Sequence, residues 1–223
     1  KNIFDKLNIV RGFYLEIGIN LKWENLHKFK IEGNTVNLLN KGWNGMWYDS
    51  SCIYPLINNV FVTTENIMHS IINVAKRTNN IDFFSIDIDS HDWHVVKTVL
   101  ENNVNIPVFC VETNNYNGTI FLDRVLRKDI NNNNNKRRFE RNDAFGATTY
   151  SYYLLFKKYG YELIDTSKNG INAFFVKKNI SHMFENAGNL EILYKDTNNT
   201  NNAWGKRGDA NFCVTAKELL NSN

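Results

Sequence analysis

Acidic residues follow four apolar, strand-like segments of this 223-residue sequence. In open α/β sheets, ligands bind outside the carboxyl ends of the strands, so residues that follow neighbouring strands meet in one crevice. The four segment ends read Glu16-Ile17-Gly18, Asp49-Ser50, Asp87-Ile88-Asp89 and Glu112-Thr113-Asn114. We therefore expect one site in which several carboxylates converge.

Asp87 and Asp89 flank one apolar residue, so in an extended chain their side chains point to the same side. Two carboxylates this close repel each other unless a proton or a cation lies between them. Glu112 and Asn114 add oxygen ligands, which hard cations prefer, and the set predicts a magnesium site. The alternative is that polar residues of this segment only cap the next helix, as Asp89, Ser90 or Asp92 could.

Asp49 and the adjacent Ser50 follow the second strand-like segment. An acidic side chain at this position accepts hydrogen bonds from the ribose hydroxyls of nucleotide-type cofactors. We therefore expect Asp49 and Ser50 to bind a cofactor. The alternative is that Asp49 is a turn residue or a helix cap.

His91 and His94 lie just beyond the acidic segment, three residues apart at a predicted helix start. A near-neutral pKa suits imidazole for taking a proton from a hydroxyl group, which makes His91 a candidate general base. The alternative is a purely structural role for either histidine.

Alternating segments of strand and helix length must position these residues. We predict strands at 13–18, 46–49, 59–62, 82–87 and 106–111, and helices at 35–41, from 63 or 64 to 76, 93–101 and 148–159. This alternation predicts parallel βαβ units with helices on both faces of the sheet. Strands at 161–164 and 173–176, joined by a turn-rich segment, are expected to pair antiparallel at the end of the sheet.

Composition restricts the classes of function. The net charge of +3 is too weak to favour nucleic acid as a partner. No apolar run reaches about 18 residues, and the three cysteines are scattered, so we expect a reduced, cytoplasmic protein that does not span a membrane. The chain begins at Lys1 without a methionine, so we expect a fragment or a domain of a longer protein. We expect a single domain over 1–223, with a core at about 12–178, a flexible Asn-rich loop at about 129–142 and a C-terminal extension at 179–223.

Taken in order, these motifs resemble FkbM-like S-adenosylmethionine-dependent methyltransferases. The strongest block, DFFSIDIDSHDW at 82–93, is similar to the family's SIDIDGNDY block. Further similar blocks lie at 15–18, 34–35, 39–45, 49, 62–67, 111–114, 145–148 and 169–176. The resemblance implies a Rossmann-like, doubly wound, mostly parallel seven-stranded sheet that ends in the antiparallel hairpin.

The resemblance also implies a cofactor and its site. S-adenosylmethionine would be lined by Glu16, Gly18, Asn34, Thr35 and Asp49, with Asp87 near its methionine end. Related sugar O-methyltransferases hold a magnesium ion on carboxylates that follow strands four and five, which here are Asp87, Asp89 and Glu112.

We expect methyl transfer to a hydroxyl of a sugar, a glycan or a related small molecule, with Asp89, or His91 as second choice, taking the proton. Two alternatives remain open. The D-x-D pattern of residues 87–89 is also typical of glycosyltransferases that hold a metal and a nucleotide sugar. The first loop departs from the family's E-x-G-x-x-x-G because no glycine follows Gly18 until Gly33, and Ser90-His91 replaces the usual Gly-Asn. Such departures fit a degenerate, non-catalytic module.

Overall fold

A central sheet of seven strands organises the part of the chain that the structure describes. The structure is a computed structural model, and it describes residues 2–25, 28–51, 54–77, 80–115, 119–128, 146–195 and 213–222, with the backbone alone at 21–25 and 28–30. The loop expected at 129–142 lies outside the described residues, as does Cys52.

The strands are numbered in chain order. They are β1 (Phe13–Ile17), β2 (Asn20–Asn25), β3 (Lys28–Glu32), β4 (Asn44–Asp49), β5 (Ile57–Asn59), β6 (Phe83–Ile86), β7 (Val108–Glu112), β8 (Val125–Leu126), β9 (Tyr161–Thr166), β10 (Asn172–Lys177) and β11 (Cys213–Val214). The central sheet has the order β5-β4-β1-β6-β7-β10-β9. Two separate antiparallel pairs are β2 with β3 and β8 with β11.

Strand β10 alone runs against its neighbours in the central sheet, since it is antiparallel to both β7 and β9. The other pairings, β5-β4, β4-β1, β1-β6 and β6-β7, are parallel. Numbered within the sheet, the strand order is therefore 3-2-1-4-5-7-6. The predicted α/β class, mostly parallel sheet and late antiparallel hairpin are confirmed.

The helices follow in chain order. They are α1 (Ile3–Lys6), α2 (Val36–Asn40), a π-helix (Ile67–Ile72) that continues into α3 (Asn73–Lys76), α4 (Asp92–Glu101), α5 (Thr149–Lys158), a 3-10 helix (Lys178–Met183), α6 (Leu190–Leu193) and α7 (Ala216–Asn221). Thr148 caps α5 through its side chain, as expected for a helix that begins there. Among the described residues, no helix has the length and apolar character to cross a membrane.

Two apolar clusters form the core, and both include residues of the central sheet. Alternate residues of β1 divide between them, with Leu15 and Ile17 in one cluster and Tyr14 in the other. Successive side chains of a strand point to opposite faces, so the clusters lie on the two faces of the sheet. The first cluster includes residues of the π-helix, α4 and α5, and the second includes residues of α1 and α2.

The hairpin of β2 and β3 is the largest element that the sequence reasoning missed. It lies between Gly18 and Gly33, where the family resemblance implied a short glycine-rich loop. Its apolar residues alternate with polar ones in sequence, as in Leu21-Lys22-Trp23 and Phe29-Lys30-Ile31, and this period of two is the signal of a strand pair. The segment between Gly18 and Gly33 is therefore a hairpin, which we call the inserted hairpin because the family resemblance predicts a short loop there.

The third strand and the helix after it also differ from prediction. Strand β5 ends at Asn59 rather than at Val62, and the side chain of Asn66 organises the chain that follows it. The Asn66 side chain donates to the Phe61 carbonyl and accepts from the Thr63 backbone nitrogen. The expected helix from 63 or 64 to 76 begins instead with the π-helix.

The C-terminal extension is docked on the core by Asp123. Its carboxylate accepts from the backbone nitrogens of Ala216 and Lys217 at the start of α7, and from Ser151 Oγ on α5. Ala216 is fully buried, and β11 pairs with β8. Residues 213–222 are therefore part of the same core as the sheet.

Candidate functional site

The carboxyl ends of β4, β1, β6 and β7 lie side by side, because these strands are consecutive neighbours in the sheet. Backbone hydrogen bonds continue past the strand ends, from Gly18 nitrogen to Tyr48 oxygen and from Asp87 nitrogen to Ile17 oxygen, each at 2.9 Å. The four acidic segment ends therefore share one edge of the sheet, as expected. The order of the strands reverses between β1 and β6, which is where ligands of open α/β sheets bind.

Gly18 brings the chain after β1 against the chain after β6. Its φ is +86°, in the left-handed region that favours glycine, and a Cβ at this position would lie 1.5 Å from the Asp87 carbonyl oxygen. No side chain fits in that space. Gly18 is therefore required for the close approach of the two strand ends.

Glu16 is buried, and its carboxylate is bound by the chain itself. Asn34 nitrogen donates to Oε1 at 2.6 Å, Thr35 nitrogen donates to Oε2 at 3.1 Å, and Thr35 Oγ1 also donates to Oε2. Trp47 Nε1 supports this cluster by donating to Thr35 Oγ1 at 2.8 Å. Burial raises the pKa of Glu16, and these hydrogen bonds oppose that rise. Glu16 thus ties the end of the inserted hairpin to β1.

Asn34, Asp49 and Ser50 are also expected at the cofactor. Asn34 is half-buried, and its side chain donates to Ser85 Oγ on β6 at 3.0 Å. Asp49 Oδ1 accepts from the backbone nitrogen and the hydroxyl of Ser51, at 2.7 and 2.8 Å, so Asp49 forms the turn that the alternative interpretation described. Ser50 is exposed at that turn. The roles of these residues toward a cofactor stay predictions.

The acidic loop after β6 is organised by Asp92. Its Oδ1 accepts from Ile88 nitrogen at 2.8 Å and its Oδ2 accepts from Ser90 nitrogen at 2.9 Å. Asp89 lies between them with a φ of +53°, a conformation that is uncommon outside glycine. The chain therefore turns after Asp87, and hydrogen bonds to Asp92 hold the turn. The extended chain that the D-x-D spacing predicted is wrong.

Asp87, Asp89 and Glu112 each place one carboxylate oxygen within 4.8 Å of the others. Asp87 and Glu112 are half-buried and hydrogen-bonded to each other, whereas Asp89 is exposed. Burial, and then the carboxylates of Asp92 and Asp89, raise the pKa of Asp87 to about 7. Burial and the charge of Asp87 raise the pKa of Glu112 well above its ordinary value. Such a group holds either a proton or a cation.

The donor set fits a hard divalent cation. Its members offer only carboxylate oxygens, which magnesium prefers. Glu112 Oε2 is buried and has no hydrogen-bond partner among the described residues. Buried acceptors are normally satisfied, so this oxygen points to a bound cation or another donor. Asn114, the fourth predicted ligand, is buried beside β7, and its backbone nitrogen donates to Ala147 oxygen at 2.8 Å.

His91 and His94 both contact the end of β8. His94 Nε2 lies 2.7 Å from Leu126 oxygen and His91 Nε2 lies 3.3 Å from Arg127 oxygen. Burial lowers the pKa of His94 to about 4. His94 therefore has the structural role that was the alternative for both histidines, and the role of His91 as a base stays a prediction.

Two residues near the carboxylates of Asp87, Asp89 and Glu112 were not predicted from the sequence. Asn172 Oδ1 and the Tyr152 hydroxyl are buried without a hydrogen-bond partner among the described residues. Burial raises the pKa of Tyr152, and the charges of Asp92, Glu112 and Asp87 raise it further. The effect of these charges places Tyr152 near the three carboxylates. In sequence, Tyr152 looks like one apolar residue of α5 among several, and only burial next to acids distinguishes it.

No protein-family model matches this chain, and no curated protein matches its sequence.

Proposed function

We propose that the chain is a Rossmann-like, S-adenosylmethionine-dependent O-methyltransferase that acts on a hydroxyl of a sugar, a glycan or a related small molecule. The observation that carries the proposal is the strand order 3-2-1-4-5-7-6 with its reversal at the ends of β1 and β6. Five of these strands have the order of a doubly wound nucleotide-binding sheet. The acidic residues also lie at that reversal.

The ends of β1 and β4 provide the cofactor half of the site. Gly18 lets the backbone approach closely at the reversal, and Asp49 would accept hydrogen bonds from the ribose hydroxyls, with Ser50 beside it. Glu16 holds Asn34 and Thr35 against β1, so we assign it the role of positioning this wall. The inserted hairpin returns the chain to Glu16 at Gly33, where a Cβ would lie within about 3 Å of the Glu16 carboxylate.

The ends of β6 and β7 provide the acceptor half. Asp87, Asp89 and Glu112 would hold magnesium, which when bound lowers the pKa of a hydroxyl that it ligates. S-adenosylmethionine would supply the methyl group, which would pass from its sulfur to the acceptor oxygen and leave S-adenosylhomocysteine as the second product. Asp89, the exposed member of the group, would take the hydroxyl proton, with His91 as the second candidate.

Calorimetric titration with S-adenosylmethionine tests the cofactor half. We expect binding by the unmodified chain and a loss of at least about tenfold in affinity for Asp49→Ala, because a bidentate contact to ribose is removed. Asp165→Asn is the matched control, since Asp165 is an exposed acid that pairs with Lys195. An absence of binding by the unmodified chain would contradict the methyltransferase proposal and favour the non-catalytic module.

The double variant Asp87→Asn with Asp89→Asn tests the acceptor half. With an acceptor found in a panel of sugars and glycans, we expect turnover to be abolished while the melting temperature stays close to that of the unmodified chain. Full activity of the double variant would show that the site is elsewhere. Stabilisation by nucleotide sugars but not by S-adenosylhomocysteine in thermal-shift measurements would favour a glycosyltransferase.

A further inference from the structure

Asn172 and Glu112 are directly opposite each other on β10 and β7, as Cα partners of an antiparallel pair. Opposite side chains of such a pair lie on the same face of the sheet, with Cβ atoms about 4.5–5.5 Å apart. The amide of Asn172 therefore lies on the face from which Glu112 joins Asp87 and Asp89.

Both residues have a buried oxygen that accepts no hydrogen bond from the described part of the chain. These oxygens are Glu112 Oε2 and Asn172 Oδ1. An ionised carboxylate and an amide oxygen cannot satisfy each other, so each needs a donor or a cation beside it. The nearby Tyr152 hydroxyl does not fill this role, because it too lacks a partner among the described residues. One cation held at the three-carboxylate group would satisfy both oxygens.

We propose that Asn172 Oδ1 is a further ligand of the divalent cation held by Asp87, Asp89 and Glu112. This inference rests on the metal-binding part of the proposed function and not on methyl transfer. An amide oxygen adds a ligand without adding a fourth negative charge to a group whose carboxylates already repel one another. The arrangement thus increases the number of oxygen ligands at little electrostatic cost.

A competing arrangement uses the same residues without a metal. A flip of the Asn172 amide exchanges its oxygen and nitrogen. Asn172 Nδ2 would then take the place of Oδ1 and donate a hydrogen bond to Glu112 Oε2. Asn172 would then position Glu112 and contact no cation. An aspartate distinguishes the two arrangements, since it keeps an oxygen ligand but removes the donor.

The experiment measures cation binding directly, in the absence of cofactor and acceptor. Magnesium is titrated by calorimetry and manganese by electron paramagnetic resonance into the unmodified chain, Asn172→Ala, Asn172→Asp and Asn102→Ala. Asn102 is the control, an exposed asparagine at the end of α4 whose side chain donates to Thr98 oxygen. We expect affinity to fall at least about tenfold in Asn172→Ala and to be retained or increased in Asn172→Asp, with Asn102→Ala unchanged. Circular dichroism checks that each variant is folded.

Three results would overturn the inference. They are unchanged affinity in Asn172→Ala, weaker binding by Asn172→Asp than by Asn172→Ala, and no cation binding by the unmodified chain. If cation affinity is unchanged in Asn172→Ala but binding is lost in Glu112→Gln, the three-carboxylate site is supported and only the role of Asn172 as a ligand is contradicted. Cation binding that depends on Asn172 in a chain that binds no S-adenosylmethionine would instead support this inference while contradicting the methyltransferase proposal.

Discussion

Glu16 on β1 is buried and Glu112 on β7 is half-buried, these are the two strands that flank β6, and burial raises the pKa of both carboxyl groups. Their surroundings differ in one respect. Both oxygens of Glu16 accept hydrogen bonds from Asn34 and Thr35, whereas Glu112 Oε2 accepts none from the described residues. A buried carboxylate whose acceptor positions are filled by its own chain stabilises the fold. One with an unfilled position is suited to bind something else.

Glu16→Gln is the variant with the largest expected effect on stability. The new amide group must face at least one of the nitrogen donors of Asn34 and Thr35, so hydrogen bonds to a charged group are lost and a donor is left unsatisfied. We expect a decrease of about 3 kcal/mol in the free energy of unfolding, measured by urea denaturation. Magnesium affinity should not change. A stable Glu16→Gln chain that had lost its affinity for magnesium would reverse the roles assigned to the two glutamates.

Apo-protein stability should depend on pH through the acidic group. The folded pKa of Asp87, about 7, is above its ordinary value of 3.8, so its contribution to stability is complete below about pH 4 and is lost as the pH rises through 7. Between pH 5 and 8 we expect the Asp87 contribution alone to lower the free energy of unfolding by an amount on the order of 2 kcal/mol. Burial of His94, whose pKa is lowered to about 4, acts in the opposite direction below pH 6.5.

Comparison with Asp87→Asn separates these contributions, because His94 is the same in both chains. We expect the variant to lose less stability than the unmodified chain over this range. Saturating magnesium should also reduce the loss, because the cation binds the ionised carboxylates. Equal pH slopes for the unmodified chain and Asp87→Asn would contradict the raised pKa of this group.

The sequence predicts the sheet and the position of the acidic residues well, for physical reasons. Strand segments such as 82–87 are short, apolar and bounded by polar turns, and the carboxyl ends of neighbouring parallel strands share one edge of the sheet. The convergence of Asp87, Asp89 and Glu112 follows from that topology. These features depend on local pattern and on order along the chain.

The remaining features depend on contacts between distant segments. Glu16 is bound by residues 18 and 19 positions away, across a hairpin whose insertion the missing glycines alone did not reveal. The pairing of Asn172 with Glu112 depends on the register of β10 against β7, two strands that lie far apart in the chain and are not joined by a turn that would fix it. Sequence identified Glu16 and Glu112 alike as acids that follow strands, one expected at the cofactor and one at the metal, and their hydrogen-bond partners are visible only in the structure.

Thr35→Val sharpens the account of Glu16. Thr35 Oγ1 donates to Glu16 Oε2 and accepts from Trp47 Nε1, and valine removes the hydroxyl while keeping the shape. We expect a loss of about 2 kcal/mol in the free energy of unfolding, because both buried partners lose a hydrogen bond. Thr35→Ser keeps the hydroxyl and should lose less than half as much. Equal losses for valine and serine would show that packing, and not the hydrogen bonds, makes Thr35 important.

Glu112→Gln has the smallest expected effect on stability and the most informative consequence. Glutamine keeps a donor for the Asp87 carboxylate and removes a carboxyl group whose ionisation is opposed by burial and by Asp87. We expect the apo protein to stay within about 1 kcal/mol of the unmodified chain, or to become more stable at pH 8.

The same variant should lose the increase in melting temperature that magnesium gives the unmodified chain, because a neutral amide replaces a charged ligand. Glu191→Gln, at an exposed position of α6, is the matched control and should behave as the unmodified chain does with and without magnesium. If Glu112→Gln instead lost as much stability as Glu16→Gln and its melting temperature still rose with magnesium, the unfilled oxygen would have no role in binding. The distinction between the two glutamates would then fail, because both would serve only the fold.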